Sequence, residues 1–100
     1  MDTIHHIAIQ VNNIQESVDW YKSHYDLIVK YQDQTWALLQ FANVGLALVL
    51  PNQHPAHFAI VSEQAESYGQ LTTHRDGTAS IYINDPAGNP IEMIKLAEPD

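Results

Sequence analysis

From residue 3 to residue 11, apolar and polar positions alternate with the two-residue period of a strand whose faces differ. Ile7 and Ile9 fall on one face, His6 and Ala8 on the other. Asn12-Asn13 breaks the alternation, and Asn13 with Glu16 three residues on has the form of a capping box. Ile14, Val18, Tyr21 and Tyr25 then recur at helical spacing, which predicts one amphipathic helix ending near Asp26. Three strands are predicted next, over residues 27–31, 36–41 and 46–50. Turn-like residues separate them at Asp33-Gln34 and Asn43-Val44-Gly45. The first half reads β-α-β-β-β.

Residues 51–55 carry two prolines and read as a linker. Alternation resumes over residues 57–61. Residues 62–68 leave room for a short helix of about two turns, closed by Gly69. Residues 70–74 and 79–84 are predicted to pair across Arg75-Asp76-Gly77-Thr78, because Asp-Gly is a strong hairpin signal. Asp85-Pro86-Ala87-Gly88 has the residues of a type I turn, and Asn89-Pro90 leads extended into a last strand over residues 90–96. The second half is again β-α-β-β-β, with its helix cut down.

The two halves share more than a pattern. His6-Ile7-Ala8-Ile9 returns as His57-Phe58-Ala59-Ile60, 51 residues on. A scaffold buried for packing alone has no need of the same histidine at the same place in both halves; a site does. Matching the final strands of the halves sets Leu46-Ala47-Leu48-Val49 against Ile91-Glu92-Met93-Ile94, so Glu92 stands where the first half has Ala47. An acid inside an apolar strand is costly to bury unless it is paired or bound to a cation.

Composition narrows the chemistry. With 100 residues and 45% apolar content, one compact domain with a modest core is expected. A formal charge of −8 disfavours nucleic acid and anionic membrane surfaces as partners. The absence of cysteine removes disulfides, thiolate zinc sites and cysteine nucleophiles together. The opening residues lack the basic-then-apolar form of a secretory signal, and no apolar run approaches the length of a membrane span, so a cytoplasmic location is expected. Six histidines then stand out, since histidine is the commonest nitrogen ligand for metals. His5 points away from His6; His24 falls on the helix and His54 in the linker, with no partner legible for either. Trp36, Leu38 and Gln40 share a strand face that suits either core or a pocket wall.

The chain resembles the vicinal oxygen chelate superfamily, which includes glyoxalase I, bleomycin-resistance proteins and extradiol dioxygenases. The resemblance rests on His6-Ile7-Ala8-Ile9, the helix ending in Trp20-Tyr21, His57-Phe58-Ala59-Ile60 and Asp85-Pro86-Ala87-Gly88-Asn89-Pro90-Ile91-Glu92. It implies an α+β fold of two βαβββ modules forming a partly open barrel, a single domain over residues 1–100 with modules at about 1–50 and 56–97. It also implies a divalent metal on the concave face, chelated by adjacent oxygens of a small-molecule substrate. The ligand positions of that pattern fall on His6, Ala47, His57 and Glu92. Ala47 cannot ligate, and it stands where lyases and epimerases of the superfamily usually carry Glu or Gln.

The remaining His6, His57 and Glu92 make the two-histidine, one-carboxylate set typical of non-haem Fe(II); Mn, Ni and Zn suit the same donors. The segment from Thr72 to Glu92 is also similar to the extradiol dioxygenase signature, whose histidine and tyrosine fall on His74 and Tyr82. The resemblance thus implies His74 as acid/base and Tyr82 as oxyanion hydrogen-bond donor. The reading inclines to a metal-dependent enzyme of dioxygenase type. Its rivals are a metal-free binding protein of the bleomycin-resistance type, whose cationic ligand the acidic charge would suit, and a glyoxalase-type lyase or isomerase. A homodimer is expected, because a thin barrel leaves strand edges to cover.

Overall fold

The computed structural model describes residues 1–97. The described chain folds as two compact units, one over His6–Ala56 and the other combining Met1–His5 with residues 57–97.

The His6–Ala56 unit holds most of β1 (Ile4–Gln10), then α1 (Ile14–His24), β2 (Ile28–Gln32), β3 (Trp36–Gln40) and β4 (Gly45–Val49), with strand order β2-β3-β4-β1. β1 and β4 run parallel, with Ala8 opposite Ala47; β3 lies antiparallel to β4, with Leu38 opposite Ala47. β2 pairs antiparallel with β3 through a bulge between Val29 and Tyr31. Helix α1 begins as its sequence predicts: the Asn13 side chain accepts the Glu16 N–H at 2.8 Å. It ends earlier than the apolar stripe suggests. The Ser23 hydroxyl donates to the Trp20 carbonyl at 2.8 Å and His24 Nδ1 lies 2.8 Å from the same oxygen, so side chains take over a last-turn acceptor. Tyr25 is extended and exposed, beyond the helix.

One face of this unit's sheet packs Ala37, Leu39 and Leu48 against Ile14 and Val18 of α1, with Ile9 and Val11 beside them. Ile7 and Ile9 share a face as expected, but Ile7 is 45% exposed whereas Ile9 packs beside the α1-covered core. The other face gathers Ala8, Leu38, Ala47 and Val49, against which Tyr31 and Trp36 stack with ring centroids 4.3 Å apart. Trp36 and Leu38 therefore serve as packing.

The second unit repeats the design with β5 (His57–Val61), a 3-10 turn (Ala65–Tyr68), β6 (Thr72–Thr73), β7 (Ala79–Asn84) and β8 (Pro90–Lys95) in the order β5-β8-β7-β6. β5 and β8 are parallel, with Ala59 opposite Glu92; β7 and β8 are antiparallel, with Tyr82 opposite Glu92. The expected two-turn helix is a single 3-10 turn. It has no side-chain cap and one buried residue, Ala65, too little to hold a longer helix. Gly69 ends it at φ 146°, where a Cβ would stand 2.7 Å from Ile81 Cδ1. β6 keeps two residues of the five predicted, pairing Thr72 with Ser80 and Thr73 with Ala79 as a short edge. The βαβββ order is thus present in both units, the second with its helix reduced to that turn.

Candidate functional site

The site grows from the period of three strands. Because β5 and β8 run in register, His57 and Ala59 share a face with Glu92 and Ile94. Antiparallel pairing adds Tyr82 and Ser80 of β7 to the same face. The turns at the strand ends set these positions. The Gly88 N–H donates to the Asp85 carbonyl at 3.0 Å, closing the turn read from the sequence. The Asp85 carboxylate accepts from the Ala87 and Asn89 backbone and from Asn89 Nδ2, all at 2.9 Å. Those bonds, the Asn89 amide first, hold the Asp85 carboxyl below its ordinary range. At the other end the Gly77 N–H reaches the His74 carbonyl at 3.1 Å, and Gly77 takes φ 89°, the left-handed step of a short hairpin loop. That loop folds His74 back over Ser80.

Four polar side chains, His57, His74, Ser80 and Tyr82, all buried or partly buried, gather around Glu92. Glu92 is 5% exposed, His57 9% and Ser80 2%. His57 Nε2 lies 3.1 Å from Glu92 Oε1, and the Ser80 hydroxyl donates to Glu92 Oε2 at 2.6 Å. His74 Nε2 is 2.6 Å from Ser80 Oγ and 3.4 Å from Glu92 Oε2. Ser80 has one proton and gives it to Glu92, so His74 donates to Ser80 from Nε2. The Glu92 carboxylate, acting through hydrogen bonding and charge against the opposing effect of burial, raises the His74 pKa. The Tyr82 hydroxyl lies 3.3 Å from His57 Nε2, and its ring meets the His57 ring edge-on at 4.9 Å. Burial first and the Glu92 charge second push Tyr82 ionisation far up, so the phenol keeps its proton.

His57, His74, Tyr82 and Glu92 are thus brought together within one unit. His6 lies on β1 in the other, 7% exposed, opposite Gly45 and on the same face as Ala8. His6, His57 and Glu92 are each buried and each offers one atom able to ligate a metal ion. Two imidazole nitrogens and a carboxylate oxygen suit a divalent cation. Among the other histidines, His24 stacks on Trp20 at 4.0 Å, and the His54 carbonyl accepts from Gln10 Nε2 at 3.0 Å.

Sequence reasoning gave Ser80 no role. A serine alternating with Tyr82 on a strand is unremarkable until the register places it diagonally from Glu92. A second repeat also escaped notice. Asp33 accepts from the Thr35 N–H and hydroxyl at 2.7 and 2.8 Å, and Asp76 accepts from the Thr78 N–H and hydroxyl at 3.0 and 2.7 Å. The shortened helix shifts this repeat to a 43-residue spacing, out of step with the histidines.

No protein-family model and no curated protein matches the sequence. Solved structures do match. A hypothetical protein from Bacillus halodurans C-125 is similar over 99% of this chain and 97% of its own, with 14% identity and a TM-score of 0.74. Methylmalonyl-CoA epimerase from Mycobacterium tuberculosis is similar over 95% of this chain and 88% of its own, with 17% identity and a TM-score of 0.70. A glyoxalase/bleomycin resistance protein/dioxygenase superfamily member from Vibrio splendidus 12B01 is similar over 96% of this chain and all of its own, with 11% identity and a TM-score of 0.63. The chain has the fold of that superfamily, as its repeated motifs led one to expect.

Proposed function

We propose that this chain is a small single-domain cytoplasmic enzyme that holds a divalent metal through His6, His57 and Glu92 and acts on a small molecule with two adjacent oxygens. A catecholate, an enediolate or a 2-oxo acid has the required chemistry. The observation that carries this reading is the buried Glu92 carboxylate, facing His57 with one oxygen and held by Ser80 with the other. Packing alone would be served by an alanine, which is what the other unit has at Ala47. Burying a charge costs several kcal/mol unless partners or a cation offset it.

When bound, such an ion supplies Lewis acidity and, as Fe(II), reactivity toward dioxygen. The chain's own groups supply the rest. Tyr82 holds a phenol proton beside His57 and donates a hydrogen bond to an oxygen that gains charge. His74 keeps a proton at Nε2 and serves as the acid/base group. Ring cleavage of a catecholate is the sharpest form of the proposal. The fold shared with methylmalonyl-CoA epimerase supports an isomerase as the second reading, and Ala47 weighs against it. Exposed Ile7 and Ile28 favour a homodimer, which a monomeric mass at micromolar concentration in solution would refute.

The test is metal analysis of untagged protein purified without oxygen, alongside His6→Ala and Glu92→Ala. About one ion per chain, lost in both variants, supports the site. Oxygen uptake with a catechol and Fe(II) then separates ring cleavage from isomerisation. If the wild type takes up none of Fe(II), Mn(II), Ni(II) or Zn(II), the reading is overturned in favour of a metal-free binding protein.

A further inference from the structure

We infer that Ser80 is a positioning residue that determines which oxygen of Glu92 meets the metal ion; the inference rests on the metal-site reading above. A free carboxylate rotates and can bind a cation through one oxygen or through both. Here the Ser80 hydroxyl donates to Oε2 at 2.6 Å, a short charge-assisted bond, while Oε1 faces His57 Nε2 at 3.1 Å. Ser80 is itself fixed. It is 2% exposed, sits on the central strand β7 diagonal to Glu92, and receives His74 Nε2 at 2.6 Å. With Oε2 engaged from the serine side, Oε1 is the oxygen presented for ligation, and Glu92 binds through that atom alone.

An independent observation comes from the repeat. In the His6–Ala56 unit Trp36 lies opposite Val49 on β4, just as Ser80 lies opposite Ile94 on β8. Where the final strand carries Ala47, the neighbouring strand carries Trp36; where it carries Glu92, the neighbour carries Ser80. The hydroxyl occurs where there is a carboxylate to hold. Groups that orient a metal ligand typically change metal affinity by about 10- to 100-fold when removed.

The experiment measures Co(II) affinity of the untagged full chain by competition with a chromophoric chelator, for wild type, Ser80→Ala and Ser80→Thr. It is paired with the visible Co(II) spectrum and the melting temperature of each metal-free protein. Ser80→Ala should bind Co(II) about 10- to 100-fold more weakly with an altered spectrum. Ser80→Thr, which keeps the hydroxyl, should recover most of the affinity. A Ser80→Ala protein that melts earlier but binds Co(II) with wild-type affinity and spectrum overturns the inference and leaves the metal site standing. A wild type that binds no Co(II), Zn(II) or Fe(II) overturns both. Wild-type protein also gives a test that needs no variant: the carboxylate infrared bands that appear on adding Zn(II) should be widely split, as for ligation through one oxygen. The narrow splitting of two-oxygen ligation would sink the inference even if Ser80→Ala failed to fold.

Discussion

The two units share one topology and differ in what their strands carry. On matched positions His6 stands for His57, Ala8 for Ala59, Ala47 for Glu92, Leu38 for Tyr82 and Trp36 for Ser80. One unit therefore turns an apolar, aromatic face where the other turns a hydrogen-bonded network around a buried carboxylate. The first also has an eleven-residue capped helix over its core, and the second has a single 3-10 turn. The unit with the polar network is thus the one with the smaller helical cover. Topology was kept while chemistry diverged, which is possible because register fixes where side chains meet and leaves open what they are.

Forcing the halves to match should have the largest effect. Ala47→Glu places a carboxylate among Ala8, Leu38 and Val49, with nothing like Ser80 to receive it, and should cost about 3–5 kcal/mol in urea unfolding. Recovery of stability on adding Zn(II) would show that the apolar half can be recruited to bind a metal. Leu48→Ala, in the α1-covered core, should cost about 3 kcal/mol by the same measurement and leave metal stoichiometry unchanged.

The Asp-Thr turns allow a finer comparison. Burial opposes ionisation of Asp33, but bonds from the Tyr31 hydroxyl, both Thr35 donors and the Trp36 N–H outweigh it and hold the carboxyl well below the ordinary range. A depressed folded pKa means stability that is full above the unfolded value of about 4 and lost as pH falls toward the folded one. Asp33→Asn should therefore cost about 1–3 kcal/mol at pH 7, and thermal melts should show the gap to wild type closing below about pH 4. The smallest effect is that of Asn13→Ala, about 1 kcal/mol from the lost cap of α1, read as a modest drop in melting temperature.

The fold was legible because its signals are local. Alternation, apolar runs and the turn residues between them placed seven of the eight described strands closely, and Asp85-Pro86-Ala87-Gly88 and Asp76-Gly77 named their turns through residues that build them. Helix ends were less legible: Tyr25 continues the apolar stripe of α1, yet Ser23 and His24 cap the Trp20 carbonyl before it. Within the site, the repeat set Glu92 near the histidines and strand parity gave its face, and His57 does lie beside it. Ser80 did not, since its role exists only in a diagonal contact across β7 and β8. That Ile7 is exposed while Ile9, on the same face, is partly buried is a difference no period along the chain reports.

The parallel pairing of β5 with β8 has a consequence for the order in which this unit is built. The β7 hairpins close across short turns, whereas Ala59 and Glu92, 33 positions apart, meet only once the chain between them is ordered. Closing that loop carries an entropy penalty that contacts repay late. His57 and Glu92 come from the two strands of this late pair, so an ion that needs both finds no partner on the open chain. Metal binding should accordingly slow unfolding while leaving the rate of folding almost unchanged, making the ion a latch on the finished protein instead of a template for it.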